Sequence, residues 1–413
     1  MTKKNVKFLP ANNKIFLFSI LFVFSFKVFA LGFGGLLTNN SSLKNRGDND
    51  FKFDQKNSAS FWFRAPFDKS GENYFASEVI YDFESDFDAD QRTNALDFNL
   101  FELAFSKNMD SSKIGLNMGR FYFSDFTGII FTQNSDGLRF SFQNDWLNVS
   151  VYGSYTGLLN AQNVDILTTA PKLFVADGKT PWEENKNLCF KVDDDQIYDF
   201  AEKYAVADFS LSFPYLFANQ TVSLEFLGTF RLEDDSFNRM YATFALDGPI
   251  YQTLFYNVSS TVGFVDYDGE TEISNLSKIG FEYFFKKVSF GLNALYASGE
   301  QGGFSSFEGF TKNTSTYSAR DFLYSGIIKT GINLSYKPFD MLVLNLGSDA
   351  IFNAVSGDKK DDIEYFGFQY SVDAVWQVKS DFQIGFAASQ FIDKDNLDDV
   401  KKTSFSLKAA LAF

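Results

Sequence analysis

The stretch TSFSLKAALAF, Thr403–Phe413, closes the chain with strict alternation between apolar and small or polar side chains. Successive side chains of a β-strand point to opposite faces. The apolar parity is continuous along the segment: Phe405, Leu407, Ala409, Leu411 and Phe413. This pattern predicts a strand with one apolar face and one face of small or polar side chains.

The same alternation recurs towards the N-terminus, for example in 219–232, 288–298 and 363–378. One parity is built from Phe, Leu, Val and Tyr, and the other is rich in Gly, Ser, Asn and Gln. A large soluble β-protein is the alternative, but it needs further sheets or helices to cover its apolar faces, and no helical pattern stands out. Within 95–105 the parity switches between Leu100 and Phe101, which predicts either a β-bulge or a different strand edge.

The links between predicted strands alternate in length from residue 68 onwards. Very short links are expected at 144–145, 247–248, 286–287, 337–338 and 379–380. Long, acidic links are expected at 84–91, 124–135, 158–203, 233–238, 266–272, 299–321, 356–362 and 393–401. The alternation predicts an all-β transmembrane antiparallel up-and-down barrel with short periplasmic turns and long outer loops. Seventeen strands are visible from residue 59, and an even number requires one more within 31–55, so we predict 18 strands, with 16 as the alternative.

The first thirty residues carry the pattern of an export signal. Lys3, Lys4, Lys7 and Lys14 precede the apolar run Ile15–Phe26, and the small residue Ala30 follows. The run is shorter than the roughly 20 residues that span a membrane as a helix. We therefore predict a signal peptide over 1–30, cleaved after Ala30, and a single barrel domain over 31–413.

Composition excludes several classes of function. The net charge of −15 becomes about −20 without the five lysines of 1–30, which is unsuited to nucleic acid. Histidine is absent, so imidazole metal sites and histidine-dependent catalysis are excluded. Cys189 is the single cysteine and cannot form an internal disulfide. We expect no enzyme, no catalytic residue, no cofactor and no metal, and we interpret the acidic loops as solvated rather than as calcium sites.

Two stretches resemble known outer-membrane proteins. The C-terminal strand is similar to the signal strand of bacterial outer-membrane barrels, which ends in an aromatic residue, here Phe413, and is recognised by the barrel assembly machinery. The stretch from Gly119 to Arg139 resembles porin and alginate-export barrels, in which inward arginines line a constriction. The phenylalanine-rich composition is similar to that of spirochaete outer-membrane proteins. The resemblance implies a Gram-negative outer membrane and contact with its lipid.

Charged residues on the polar parity are the candidate pore-lining and selectivity residues: Arg64, Arg120, Arg139, Arg231, Glu225, Asp349 and Asp373. Opposed charges across a lumen select solutes by charge, but the same residues are also expected as ordinary solvated side chains in any wet barrel. Few large apolar residues share this parity (Leu227, Leu295 and Val343), so we predict a water-filled lumen. The loop 158–203 is the candidate constriction, with an exposed surface loop as the alternative.

These features favour a porin-like channel for passive diffusion of small polar or charged solutes. The alternative is a surface adhesin or structural barrel whose long outer loops carry the binding. The solute, the sign of charge selectivity and the formation of a homo-oligomer stay open at this stage.

Overall fold

The computed structural model describes most of the chain from residue 31 onwards. The described residues are 31–45, 51–86, 91–164, 166–167, 197–233, 237–267, 270–299, 304–312, 323–354, 363–394 and 402–413. The predicted signal peptide, 1–30, and Cys189 lie outside them. Among the described residues, no helix is long and apolar enough to cross a membrane.

Eighteen strands make up the described secondary structure. They are β1 Gly32–Asn45, β2 Phe51–Pro66, β3 Tyr74–Asp86, β4 Gln91–Met109, β5 Ser112–Ser124, β6 Thr132–Asn144, β7 Asn148–Tyr155, β8 Tyr204–Phe217, β9 Gln220–Arg231, β10 Phe237–Tyr251, β11 Leu254–Tyr267, β12 Glu270–Phe285, β13 Val288–Ala297, β14 Ile327–Phe339, β15 Leu342–Asn353, β16 Glu364–Lys379, β17 Phe382–Asp393 and β18 Lys402–Ala412.

Each strand pairs antiparallel with its neighbours in sequence, and β1 also pairs with β18 from Leu36↔Ala412 to Asn45↔Thr403. This seam closes the sheet into a ring, so its strands leave no unpaired edge. The predicted barrel of 18 strands is confirmed, including a first strand before residue 55, and the alternative of 16 is excluded.

The two ends of the barrel differ. One end, here called the turn end, carries two-residue turns at 110–111, 218–219, 252–253, 286–287, 340–341 and 380–381. The opposite end, the loop end, carries the long connections, including 125–131, 156–203 and 298–326. The predicted alternation is therefore present, although the turns expected at 247–248 and 337–338 are wrong, because β10 continues to Tyr251 and β14 continues to Phe339.

The strand faces follow the predicted parity. Outward positions hold large apolar side chains that are strongly exposed, such as Phe290, Leu292 and Leu407, and an apolar outer surface of this extent suits hydrocarbon rather than water. The predicted bulge is confirmed: Glu78↔Leu100 is followed by Val79↔Phe98, so Asn99 is the extra residue of β4.

Candidate functional site

The β5–β6 hairpin leaves the barrel wall at two facing glycines. Pairing of β4 with β5 stops at Phe101↔Arg120, one residue beyond Gly119, whose φ is +107°. A Cβ at Gly119 would overlap the Phe101 carbonyl oxygen. Gly137 is the register partner of Gly119, and a Cβ there would lie 2.5 Å from the Gly153 carbonyl oxygen. Glycine is therefore required on both strands for the hairpin to bend into the lumen.

The tip of this hairpin, 125–131, is organised by one carboxylate. Asp125 accepts hydrogen bonds from the backbone N–H groups of Thr127 at 2.8 Å, Ile130 at 3.0 Å and Phe131 at 2.9 Å. An aspartate that bonds its own following backbone fixes a turn without help from other elements. The tip is thus a compact unit.

Two side chains on distant strands hold the tip in place. Glu225 of β9 accepts the Phe126 N–H with both carboxylate oxygens, at 3.0 and 3.1 Å. Lys278 of β12 donates to the Thr127 carbonyl oxygen at 2.7 Å. We call Glu225 and Lys278 the tip tethers. Because they approach from different strands, the tip is fixed inside the barrel rather than over its rim.

Three connections together fill one side of the lumen. We call 125–131, 156–164, 166–167 and 304–312 the inner plug. Its segments join through backbone bonds, Phe310 N–H to the Ile130 carbonyl at 2.8 Å and Leu167 N–H to the Phe310 carbonyl at 2.9 Å. Its buried side chains form one hydrophobic core with inward residues of the wall, among them Tyr152, Tyr204, Leu227, Tyr241, Leu276, Leu295 and Ile327.

The inner plug corrects the prediction of a wholly wet lumen. Leu227 and Leu295, the apolar exceptions on the inner parity, are where the plug packs. The described ends of loop 158–203 do lie inside the barrel, but the hairpin tip and 304–312 narrow it as well. The sequence signal was present in the apolar run Ile129–Phe131 and in Phe307 and Phe310, which are unusual in a solvated loop.

Arg239 is a plug-binding residue that sequence reasoning missed. Its side chain is fully buried on β10, and Nη2 donates to the Leu167 carbonyl oxygen at 2.7 Å. Nε lies 3.9 Å from Oε2 of Glu308, and the guanidinium lies 5.9 Å from the Phe310 ring centre. Burial raises the pKa of Glu308 to about 7, although Arg239 acts to lower it. The sequence indicates this residue only weakly, as an arginine two positions before Tyr241 and therefore on the same inner face of the strand.

Arg120 was predicted to line the constriction, but its side chain is nearly buried in an ion cluster. Nη1 donates to Asp97 at 2.9 Å, while Nε and Nη2 donate to Asp136 at 3.0 and 2.8 Å. Nη2 also donates to the Leu158 carbonyl oxygen at 2.6 Å. Its charge is thus neutralised, and it joins β4, the hairpin and the plug.

The other six predicted site residues are placed on the inner face, each with its own partner. Among the arginines, Arg139 Nε donates to Ser150 Oγ at 3.1 Å, Arg231 contacts Glu202 at 3.3 Å and Arg64 donates to the Gly71 carbonyl oxygen at 2.9 Å. Among the carboxylates, Glu225 is a tip tether. Asp349 contacts Lys329 at 3.4 Å, and Asp373 accepts a hydrogen bond from Asn345 at 2.7 Å. Within the described residues, no hydrogen bond or ion pair joins any two of the seven. They do not form one ring.

The side of the barrel facing the plug keeps a polar inner surface. Across β2 and β3, Lys56 lies 3.6 Å from Asp82, and across β15 and β16 Asn345 donates to Asp373 at 2.7 Å. Beneath the hairpin tip, a cavity of about 440 Å³ is lined by both polar and apolar residues of β11–β14, by Thr127–Ile129 of the tip and by Tyr324. In the part of the chain that is described, no group of three or more Cys, Asp or Glu side chains is placed to hold a metal ion.

A closed ring of 18 antiparallel strands, apolar outside and narrowed by inward loops, is the fold of a transmembrane β-barrel, and solved bacterial outer-membrane proteins share it. Pseudomonas aeruginosa OccK2 (OpdF), in complex with glucuronate, matches with a TM-score of 0.60 at 11% identity, over 94% of this chain and 99% of that chain. Pseudomonas aeruginosa OpdQ matches with a TM-score of 0.60 at 12% identity, over 93% and 98%. The outer membrane protein opdK of the same organism matches with a TM-score of 0.57 at 10% identity, over 92% and 99%.

These similarities concern the fold. No protein-family model matches the chain, and no curated protein matches it in sequence.

Proposed function

We propose that the chain is an outer-membrane channel for passive diffusion of small polar solutes, with its turn end in the periplasm. One observation carries this proposal: the barrel is closed and apolar outside, yet part of its inner face is polar and lies opposite the inner plug. A packed structural barrel has no use for this arrangement. The glucuronate complex of a protein with the same fold supports solutes of this size and polarity.

We also propose that charge pairs on the inner face tune this channel. Lys329–Asp349 and Lys56–Asp82 place opposite charges side by side, and Arg64 and Arg139 add positive charge on the inner faces of β2 and β6. Opposed charges produce a transverse field that orients charged solutes, while pairing keeps the net charge of the path small. Weak charge selectivity is the expected result.

Export and assembly complete the proposal. Residues 1–30 would direct export and be removed, and Phe413 would present the terminal strand to the barrel assembly machinery. Phe413 is bonded to β1 through two backbone hydrogen bonds with Gly35, at 2.9 and 3.0 Å, while its side chain is exposed. The proposed role involves no catalysis and no cofactor.

Planar-bilayer recording tests the channel. The full mature chain, refolded in detergent and shown to be folded by its heat-modifiable electrophoretic mobility, should give reproducible single-channel current steps in KCl. Heat-denatured protein at the same detergent concentration is the control. A folded barrel that gives no current steps contradicts the channel and favours the alternative, an adhesin or structural barrel that binds through its outer loops.

A further inference from the structure

Amides and glycines alternate along the wall of the cavity beneath the hairpin tip. Asn257 of β11, Gly280 of β12, Asn293 of β13 and Gly331 of β14 are successive register partners, so they lie side by side in one row of the inner face. One row nearer the turn end, Asn333 of β14 faces Gly291 of β13. We call Asn257, Asn293 and Asn333 the amide floor, and all three line the cavity.

The glycines let the amides lie flat against the wall. A Cβ at Gly280 would lie 2.8 Å from Nδ2 of Asn257, and one at Gly331 would lie 3.1 Å from Oδ1 of Asn293. A Cβ at Gly291 would overlap the carboxamide of Asn333. Larger residues at these positions would lift the amides into the cavity and fill it.

The amides of the floor are not used by the fold. Within the described residues, their side chains make no hydrogen bond to protein, and all three are exposed to the lumen. Each carboxamide offers two N–H donors and one carbonyl acceptor. A ligand with neighbouring hydroxyl groups, which both donate and accept, satisfies such a surface without any charge.

The two lysines at the cavity are already engaged. Lys278 is bonded to the Thr127 carbonyl oxygen, and Lys329 is paired with Asp349. Glu282, also at the cavity, adds a negative charge. An anion would therefore have to displace existing contacts, whereas a neutral solute meets open amides.

Size and an aromatic ring agree with this ligand class. The cavity of about 440 Å³ lies within the range of small-molecule sites. Tyr324, which is partly exposed at the cavity, presents an amphipathic ring that packs against C–H groups while its hydroxyl stays polar.

We infer that the amide floor is a binding subsite for neutral polyhydroxylated solutes, namely mono- and disaccharides and polyols, inside the channel. This inference rests on the proposed channel function and names the class of solute that the channel holds. A subsite of this kind slows the passage of saccharides enough for their binding to be measured as current block.

The test is saccharide block of single channels formed by the full mature protein in KCl. Glucose and sucrose should reduce the ion current in a saturable way. Asn293→Ala and Asn333→Ala should each raise the half-blocking concentration about three- to tenfold, as expected for loss of a neutral hydrogen bond, with KCl conductance retained. Asn345→Ala is the matched control, because this inward amide is held by Asp373 outside the cavity, and it should leave the block unchanged.

Gly291→Ala gives a second measurement in which no amide is deleted. The new methyl group displaces the Asn333 carboxamide, so saccharide block should weaken although every hydrogen-bonding group is still present. Potassium gluconate provides the charged comparison. Block by gluconate that depends on Lys329, together with no block by glucose, overturns the inference in favour of an anion site.

The two proposals fail in different ways. Channels that conduct KCl but ignore saccharides, or that are blocked equally in the wild type and the asparagine variants, overturn the subsite and leave the channel intact. Absence of any current steps from folded protein overturns the channel itself.

Discussion

The buried charge of Arg120 links β4, the β5–β6 hairpin and the inner plug, although this residue was expected to line the pore. It satisfies Asp97, Asp136 and two backbone carbonyls, including that of Leu158, while its side chain is only 7% exposed. Both carboxylates depend on it for neutralisation, and removal of one partner from a buried cluster is far more costly than loss of a surface pair.

We predict that Arg120→Met destabilises the barrel by about 3–5 kcal/mol, since the buried Asp97 and the partly exposed Asp136 lose their counter-charge. Urea titration followed by the electrophoretic mobility of folded and unfolded protein measures this. Arg231→Met is the matched control, because its pair with Glu202 has a longer contact, and it should cost much less. Equal losses in both variants would argue against a special role for the Arg120 cluster.

Glu308 makes docking of the inner plug depend on pH. Burial raises its pKa to about 7 from the ordinary 4.5, and the neighbouring charged and titratable groups are Arg239, Glu272 and Tyr241. At a pH between these two pKa values, the Glu308 carboxyl is protonated in the docked plug and ionised in a free loop. Docking is therefore strongest in acid and weakens as the pH rises from about 4.5 to about 7.

We expect trypsin to cleave after the exposed Lys312 several-fold faster at pH 8 than at pH 6 in the wild type, once rates are normalised to Glu308→Gln. The variant cannot lose a proton at this position, so its rates report only the pH dependence of the protease. Identical pH profiles for the two proteins would show that Glu308 does not control docking.

At the scale of elements, the β5–β6 hairpin belongs to the wall at its base and to the plug at its tip. The change happens at Gly119 and Gly137, and the tip tethers fix the end point. A hydrogen bond within a protein contributes about 0.5–1.5 kcal/mol net to stability. Each tether is thus strong enough to set the population of the docked tip.

We predict that Glu225→Ala increases the fraction of time the tip is undocked by about two- to tenfold. The measurement is single-channel recording, in which the variant should show larger and noisier open-state currents than the wild type. Asp247→Asn removes a negative charge from the neighbouring strand β10 without touching the tip and should leave the current noise unchanged. If Glu225→Ala showed the same open-state current and the same current noise as the wild type, the proposed role of Glu225 as a tip tether would be excluded.

The sequence predicts the strands of the barrel wall better than it predicts the packing of the segments inside the barrel. Strand parity is local, because each side chain alternates with its neighbour, so β13 or β18 can be assigned from ten residues alone. The packing of Phe310 on Ile130, by contrast, joins residues about 180 positions apart, and no local pattern reports it. Arg120 was predicted to line the pore, but it is buried in an ion cluster beside the positive φ of Gly119, which parity does not encode. The amide floor could not be predicted from the sequence, because only the strand register places Gly280 beside Asn257 and Asn293.

At the scale of the molecule, the proposed charge selectivity rests on paired charges on the inner face of the barrel. We predict that Asp349→Asn, which releases Lys329 from its partner, shifts the reversal potential in a KCl gradient towards chloride preference. Lys329→Gln should shift it towards potassium preference. Each change in permeability ratio should be about twofold at 0.1 M salt, where screening limits a single charge to ~10 Å. Shifts in the same direction for both variants would show that this pair does not contribute to the field in the path.

The seam between β1 and β18 also has a kinetic consequence. It joins residues separated by nearly the whole chain, such as Leu36 and Ala412, so the last contact to form carries the largest loop-closure entropy in the molecule. Until that contact forms, the sheet has two open edges that can pair with other chains. The ring is therefore most exposed to aggregation immediately before it is complete, and a factor that holds the first strand until the last arrives would act on the step with the largest loop-closure cost.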